Sequence, residues 1–215
     1  MHLAVYPPQG RIRLAVPQKT DEDVLRLFAI SKLGWIKKQV RHFQEQARET
    51  PRDYVSGESH YYQGKRYLLE VEAHAGYGKV QLSGTKKISL KVPIGAPVEE
   101  KARIMKEWYR KQLKIQIQPL LAKWEKVMGV KAAGWGVKQM KTKWGSCNTE
   151  RKRIWLNLEL AKKPVACLEY ILVHEMVHLL VRHHNDTFIS YMDHYLPNWR
   201  QLREELNRLP VSYRD

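Results

Sequence analysis

The chain contains 215 residues, of which 43% are hydrophobic and 28% are charged. This composition excludes an intrinsically disordered protein, and the length allows one large domain or two small ones. Lysine and arginine outnumber aspartate and glutamate by 38 to 22, so the formal net charge is +16. Nucleotides and nucleic acid are therefore candidate partners, although a solvated basic surface accounts for the charge equally well.

The cysteine content and the N-terminus bear on the cellular compartment. Cys147 and Cys167 are the two cysteines, and they form no C-x-x-C pair. A disulfide framework and a cysteine zinc site are thereby excluded, so we expect a reduced, cytoplasmic protein. The N-terminus has no basic region followed by a long apolar one, and no apolar run reaches the ~18 residues of a membrane span. We therefore expect neither a signal peptide nor a membrane partner.

The first part of the chain predicts a β-rich region. Residues 3–6 and 11–16 are short β-prone runs that predict a hairpin around two prolines and a glycine. Thr20 and Asp23 have the spacing of a capping box, which predicts a helix continuing to about residue 46. Four more β-prone runs, separated by glycine turns, predict an antiparallel meander. These runs are residues 59–62, 66–73, 79–82 and 88–92.

A change of pattern near residues 93–97 marks the boundary that we predict between an N-terminal and a C-terminal part. A long apolar helical stripe begins at Pro97 and ends at Gly129, and Pro119 is expected to kink or split it. Residues 136–143 predict a half-buried strand, and residues 154–160 a second one, with a turn from Cys147 between them. Two short terminal helices are predicted around Pro197.

The most hydrophobic segment of the chain, residues 165–181, contains three costly polar side chains, His174, Glu175 and His178. Read at helical spacing, its apolar residues cover almost the whole circumference, which indicates a buried helix. The two histidines are four residues apart, so both imidazoles lie on one face and can reach one cation. This is the H-E-x-x-H pattern, in which the histidines bind zinc and the glutamate deprotonates a water.

Zinc in a catalytic site usually has three protein ligands, so a further ligand is needed beyond the helix. His184 is the best candidate because it follows the apolar run at the point where the chain turns polar, with His183 and His194 as competitors. A chance H-E-x-x-H is expected in roughly a few per cent of such sequences. However, an isolated buried carboxylate costs several kcal/mol, which favours a metal site over ordinary core histidines.

Several motifs follow one another in residues 140–190. They are Lys143-Trp-Gly-Ser-Cys147, Ile154-Trp-Leu-Asn157, Pro164, Tyr170, His174-Glu-Met-Val-His178, His184 and Phe188. Their order resembles that of the YgjP-like predicted metal-dependent hydrolases, which are relatives of SprT-type zincins. The resemblance implies an α+β, zincin-like metallopeptidase fold, with the H-E-x-x-H helix preceded by an N-terminal β-rich region. Residues 1–95 would form that region, with its hairpin, helix and meander, and residues 96–215 the hydrolase domain.

The resemblance also implies a site, with His174, His178 and His184 on Zn²⁺ and Glu175 as general base. At two positions the chain departs from the expected pattern, with His183 in place of a small polar residue and Ile189 in place of a tryptophan. An electrophilic helper is expected as well. The candidates for it are Arg182, His183, Tyr191 and His194.

These motifs favour a zinc metallopeptidase acting on a peptide or protein, because a strand beside the metal helix can bind an extended substrate by its edge. The alternative is a nucleoside triphosphate (UTP) pyrophosphatase, a label used for YgjP-like proteins that the basic charge suits. A third hypothesis is a non-enzymatic module with a structural metal, closed by His183, Cys147 or His194 as fourth ligand. The likeness to SprT also suggests a protease acting on DNA-bound proteins, whose DNA binding would weaken steeply with salt.

Overall fold

The computed structural model describes residues 1–6, 10–45 and 52–208. The described residues fall into two compact units, one within residues 1–51 and the other within residues 52–209. This structural division differs from the functional one at residues 95/96, which stays a prediction. No helix among the described residues is long and apolar enough to cross a membrane.

The first unit consists of a hairpin and one helix. Strand β1 (His2–Tyr6) pairs antiparallel with β2 (Arg11–Ala15), which confirms the predicted hairpin, although its turn at residues 7–9 lies outside the described residues. Helix α1 spans Glu22–Glu45. The predicted capping box is wrong, because the carboxylate of Asp21 accepts the backbone N–H of Asp23 at 2.8 Å and the Thr20 hydroxyl donates to Pro17 O. Asp21 is the residue directly before the helix, and its side chain caps the helix instead.

The second unit begins with a four-stranded sheet of order β3-β4-β6-β5. Its strands lie where the sequence predicts them, but the antiparallel meander is wrong because β4 and β6 pair in parallel. In a meander β5 would be central, yet its side chains are largely exposed, whereas Ile88, Ser89 and Leu90 of β6 are all buried. Burial on both faces requires a central strand. The strands are β3 (Ser59–Tyr62), β4 (Lys65–His74), β5 (Lys79–Ser83) and β6 (Lys87–Pro93).

Helix α2 (Val98–Met128) is the longest element and packs between the two sheets of this unit through its buried face, which includes Trp108, Leu113 and Ile117. It ends as predicted at Gly129, whose φ of 65° is left-handed. Pro119 was expected to kink or split it; the split is wrong, since the helix continues through that residue, and the kink stays a prediction. Proline lacks the N–H that would bond to the carbonyl four residues back, which belongs to Ile115, a residue that is 55% exposed.

A three-stranded sheet of order β7-β9-β8 follows, made of β7 (Gly134–Lys138), β8 (Gly145–Asn148) and β9 (Arg153–Asn157). Strand β7 is parallel to β9, and β8 is antiparallel to it. The sequence placed a longer strand at residues 136–143 and a turn from Cys147, so it missed β8. Small residues with weak β propensity form β8, and its pairing with β9 rather than its composition makes it a strand.

The remaining elements surround the most buried helix. Asn157 caps a short 3₁₀ helix (Leu158–Lys162), which replaces the end of the predicted second strand. Helix α3 (Val165–Val177) follows, then α4 (Asp186–Tyr195) and α5 (Trp199–Arg208) on either side of Pro197, as predicted. Helix α3 is buried on nearly all sides by α2, α4, α5 and β8. The fold is therefore of the α+β class, with a β-containing N-terminal region as the sequence indicates.

Candidate active site

Three histidines converge where α3 ends. His174 lies in the last turn of α3, His178 is its C-cap, and His184 lies in the segment that leads to α4. One ring nitrogen of each lies within 4.8 Å of the other two, and Nε2 of His174 is 3.0 Å from Nε2 of His184. Two nitrogens on a tetrahedral zinc ion are about 3.3 Å apart, since each bond is about 2.0–2.1 Å long. The spacing of these donors therefore fits a metal ion.

The two competing histidines lie elsewhere. His183 is exposed and is not among the residues that line the cleft described below. The ring of His194 packs against Tyr195, with the centroids 4.9 Å apart. Of the three candidates for the third ligand, the structure thus brings only His184 to His174 and His178.

The tautomers and the charges of the cluster suit a metal ligand set. Nδ1 of His178 is 3.2 Å from the Val181 carbonyl, to which it donates, so its Nε2 keeps a free lone pair. Burial, followed by the neighbouring His178 and His184, lowers the pKa of His174 to about 3. A neutral imidazole is the form that binds a metal. Nδ1 of His174 is buried and has no hydrogen-bond partner among the described residues.

Apolar and aromatic side chains hold the three rings in place. Phe188 is 3% exposed, and its ring centroid lies 4.6–5.0 Å from those of all three histidines. The carboxamide of Asn185 caps α4 by accepting the backbone N–H of Phe188 at 3.0 Å. Tyr170, one turn before His174, meets that ring edge-on at 6.1 Å and stacks on Trp199. No role for Tyr170 was predicted from the sequence, although its spacing of four residues from His174 places both on one helix face.

Glu175 is buried directly beside the cluster, with 6% of its surface exposed. Burial raises the pKa of its carboxyl group to about 8, and the charge of Lys143 opposes this shift. Strand β8 lies in contact with it, because a Cβ atom added to Gly145 would lie 2.5 Å from Oε1 and 2.7 Å from Cγ of Glu175. The absence of a side chain at position 145 therefore allows the strand backbone to approach the carboxylate.

Cys147 lies two residues further along β8 and hence on the same face of the strand as Gly145. Burial, with a contribution from Glu175, raises the pKa of its thiol to about 11. Among the described residues, the donor atoms that converge for a metal are those of the three histidines, and Cys147 is not one of them. The interpretation of Cys147 as a structural residue stays a prediction.

Asn157 fixes the segment that enters β8. Its side-chain amide donates to the carbonyls of Met140, at 3.0 Å, and Lys143, at 2.7 Å, and its oxygen accepts from the Met140 N–H at 3.3 Å. Its own backbone N–H donates to Trp144 O at 2.8 Å. Because Asn157 is only 4% exposed, these bonds are shielded from water. They determine where the strand enters and hence where Gly145 meets Glu175.

A cleft of about 620 Å³ opens over the histidines, Glu175 and β8. Of the four candidate helpers, Arg182 lines this cleft, whereas His183, Tyr191 and His194 do not. Tyr191 stacks on Tyr195 instead, with an interplanar angle of 7°. Lys143 is a second cation in the cleft, which the sequence did not single out as a site residue. Among the described strands β8 pairs only with β9, so its other edge is left for a ligand.

The chain is similar to a known protein family. A family model described as YgjP-like, metallopeptidase domain, matches residues 1–209. The chain belongs to the YgjP-like family. This confirms the resemblance and extends it from residues 140–190 to nearly the whole chain. A metallopeptidase-type domain is thus assigned, and with it a metal-dependent hydrolase.

Similarity to curated proteins and to solved structures is more limited. No curated protein matches the chain. Among solved structures, the metallopeptidase zymogen jannalysin of Methanocaldococcus jannaschii is similar, with 19% sequence identity and a TM-score of 0.38. The similarity covers 42% of this chain and 92% of jannalysin.

Proposed function

We propose that this YgjP-like protein is a zinc-dependent metallopeptidase, in which His174, His178 and His184 hold the metal and Glu175 is the general base. The observation that carries the proposal is the convergence of three histidine nitrogens within 4.8 Å, next to a carboxylate that is 6% exposed. An isolated buried carboxylate is costly, and a cation beside it would offset that cost.

The residues of the cleft have distinct roles in this mechanism. A zinc ion with three protein ligands supplies Lewis acidity, which activates water and polarises a carbonyl group. Glu175 accepts the proton of the attacking water and returns it to the leaving amine, and its burial keeps competing water away. Arg182 lines the same cleft and is our candidate to stabilise the developing oxyanion.

The edge of β8 supports a polypeptide substrate. An extended peptide can add to this edge through backbone hydrogen bonds, which fixes the chain without demanding a particular sequence. The strand borders the cleft that contains Glu175, so an added peptide would run past the base. Cys147 and Cys167 are free thiols, which supports our expectation of a reducing, cytoplasmic location.

A purely structural metal is less well supported. A closed tetrahedral site requires a fourth protein ligand. Among the described residues, the cluster of side chains that could hold a metal ion consists of three histidines. Neither His183, His194 nor Cys147 belongs to it. An open coordination position is what a catalytic site needs.

One observation favours the alternative of a nucleoside triphosphate pyrophosphatase. Lys143 and Arg182 both line the cleft, and two cations suit a triphosphate. A polypeptide remains our preferred substrate because the edge of a strand has no group that is specific for a triphosphate.

The experiment that tests the proposal uses protein stripped with a chelator and reloaded with zinc, with bound metal measured by mass spectrometry. Cleavage of an unfolded protein and release of pyrophosphate from UTP are then assayed, with Glu175→Gln as the paired control. We expect the parent to cleave polypeptide, and the variant to keep its zinc and lose about 10²–10⁴-fold in rate. Pyrophosphate release alone, abolished in the variant, would establish the alternative. Zinc-loaded protein with neither activity would contradict both.

A further inference from the structure

We propose that the cleft selects acidic polypeptide segments, an inference that rests on the proposed peptidase function and names its substrate class. The first observation is the charge of the chain on both sides of β8. All basic residues between positions 131 and 153 are exposed, and Glu150 is the one acidic residue there. The basic residues are Lys131, Lys138, Lys141, Lys143, Arg151, Lys152 and Arg153.

The cations in the cleft are free to meet a ligand. Lys143 and Arg182 are exposed and line the cleft, and no described residue holds either of them in an ion pair. In contrast, two lysines of the four-stranded sheet have carboxylate partners. Lys87 pairs with Glu70 at 2.7 Å, and Lys91 has a carboxylate partner at 3.3 Å. These two cations are therefore not held in ion pairs within the described fold, although Glu150 and Glu175 line the same cleft.

Two further cations are held on the face of this sheet that lies opposite the core. Nζ of Lys138 is 3.7 Å from the centre of the Trp155 ring, and the guanidinium of Arg153 is 4.8 Å from it. Gly136 on the neighbouring strand leaves the space that this indole fills. Cation–π contacts of this kind restrict both side chains, so their charges lie over β9 instead of extending freely into solvent, although neither residue lines the cleft.

The strand edge decides which polyanion fits. Nucleic acid also carries negative charge, but it cannot continue a β-sheet, whereas an extended polypeptide pairs with the backbone of β8. The four residues of β8 span about 13 Å. Lys143 precedes the strand and lines the cleft, whereas in the turn after the strand the charged residue that lines the cleft is Glu150. Acidic side chains that lie over Lys143 and Arg182 match this arrangement.

The test uses quenched fluorescent peptides built on one cleaved core sequence, with flanking residues that are all Glu, all Gln or all Lys. We expect kcat/KM to fall in the order Glu, Gln, Lys, with about five- to thirtyfold between the extremes at low salt, since each exposed pair adds a factor of about two to five. The ratio should shrink in ~0.5 M NaCl because exposed charges are screened.

Charge-reversal variants locate the effect. Lys143→Glu, which changes a cleft residue outside the proposed metal and oxyanion sites, should reduce the Glu-to-Lys ratio by about threefold or more. Lys106→Glu is the matched control, because it makes the same change in net charge on an exposed position of α2 that does not line the cleft. It should leave the ratio unchanged.

The outcomes separate this inference from the function on which it rests. Cleavage of all three peptides at equal rates would overturn the acidic preference and leave the peptidase standing. Equal peptide rates together with strong inhibition by a single-stranded oligonucleotide would assign the basic residues to nucleic acid and overturn the proposal as well. Failure of zinc-loaded protein to cleave any peptide or unfolded protein would refute the peptidase function itself, and this inference with it.

Discussion

Replacing Gly145 by alanine tests whether the backbone of β8 positions the general base. The added Cβ would lie 2.5 Å from Oε1 of Glu175, whereas ordinary contacts of a Cβ begin at 3.4 Å. Either the carboxylate or the strand must therefore move by about 1 Å, and a displacement of this size in an active site can cost about 10²-fold in rate. We expect kcat to fall by about that factor. Zinc content should be unchanged, because the three histidines are not in the clash.

The assay measures kcat and KM with one peptide, together with bound zinc and the melting temperature. Gly134→Ala in β7 is the control, because a Cβ there would meet only Arg153, at 3.9 Å. Overpacking destabilises by about 1–3 kcal/mol, so a small loss of melting temperature is expected for Gly145→Ala. A folded, zinc-loaded Gly145→Ala protein with kcat within about threefold of the parent would refute the reasoning.

Three further perturbations test other parts of the fold and the site. His184→Ala should weaken zinc binding at least 10-fold in a competition titration with a chelator, whereas His183→Ala should change it by less than about twofold. Asn157→Ala should lower the free energy of unfolding in urea by about 2–4 kcal/mol, since it leaves buried carbonyls unpaired, and should lower kcat more than the equally destabilised control Leu202→Ala. Burial lowers the pKa of His60 below 6.5, so protonation of the unfolded chain should reduce stability as the pH falls from 7 to 5.5. His60→Gln should show a shallower loss over that range, and an equal slope would contradict this assignment.

The local parts of this fold follow from the sequence because their signals are local. The apolar run of residues 165–181 predicts a buried helix, and α3 is one, although it ends at Val177 with His178 as its cap. Its histidines four residues apart necessarily share a face, so the pairing of His174 with His178 needed no tertiary information. His184 required only that the chain turn back after the helix, which the polar residues at 182–186 indicate.

The non-local parts could not be predicted in this way. Alternating side chains mark the strands of the first sheet, but nothing in a single strand tells whether β6 pairs with β4 or lies outside β5. The burial of consecutive residues in β6 shows that it is a central strand. This burial depends on which elements of the unit cover each face of the sheet. That Pro119 does not split α2 is a related case, since the cost of the hydrogen bond that a proline removes depends on the surroundings of the carbonyl left without it.

The role of the Trp144-Gly-Ser-Cys147 stretch shows how local and non-local information combine. As a motif it identifies the family, but its composition says nothing of its purpose, because small residues without alternation do not predict a strand. Its position shows what three of its four residues contact or present. The carbonyl of Trp144 accepts the Asn157 N–H, Gly145 admits the Glu175 carboxylate, and Cys147 places a small side chain on the same face as Gly145. A bulkier residue at position 145 would exclude Glu175 from its burial site, and a loss of Asn157 would release the strand. In the proposed mechanism the motif therefore acts through the position of Glu175, because its residues contact that carboxylate and the strand beside it and are not among the proposed metal ligands.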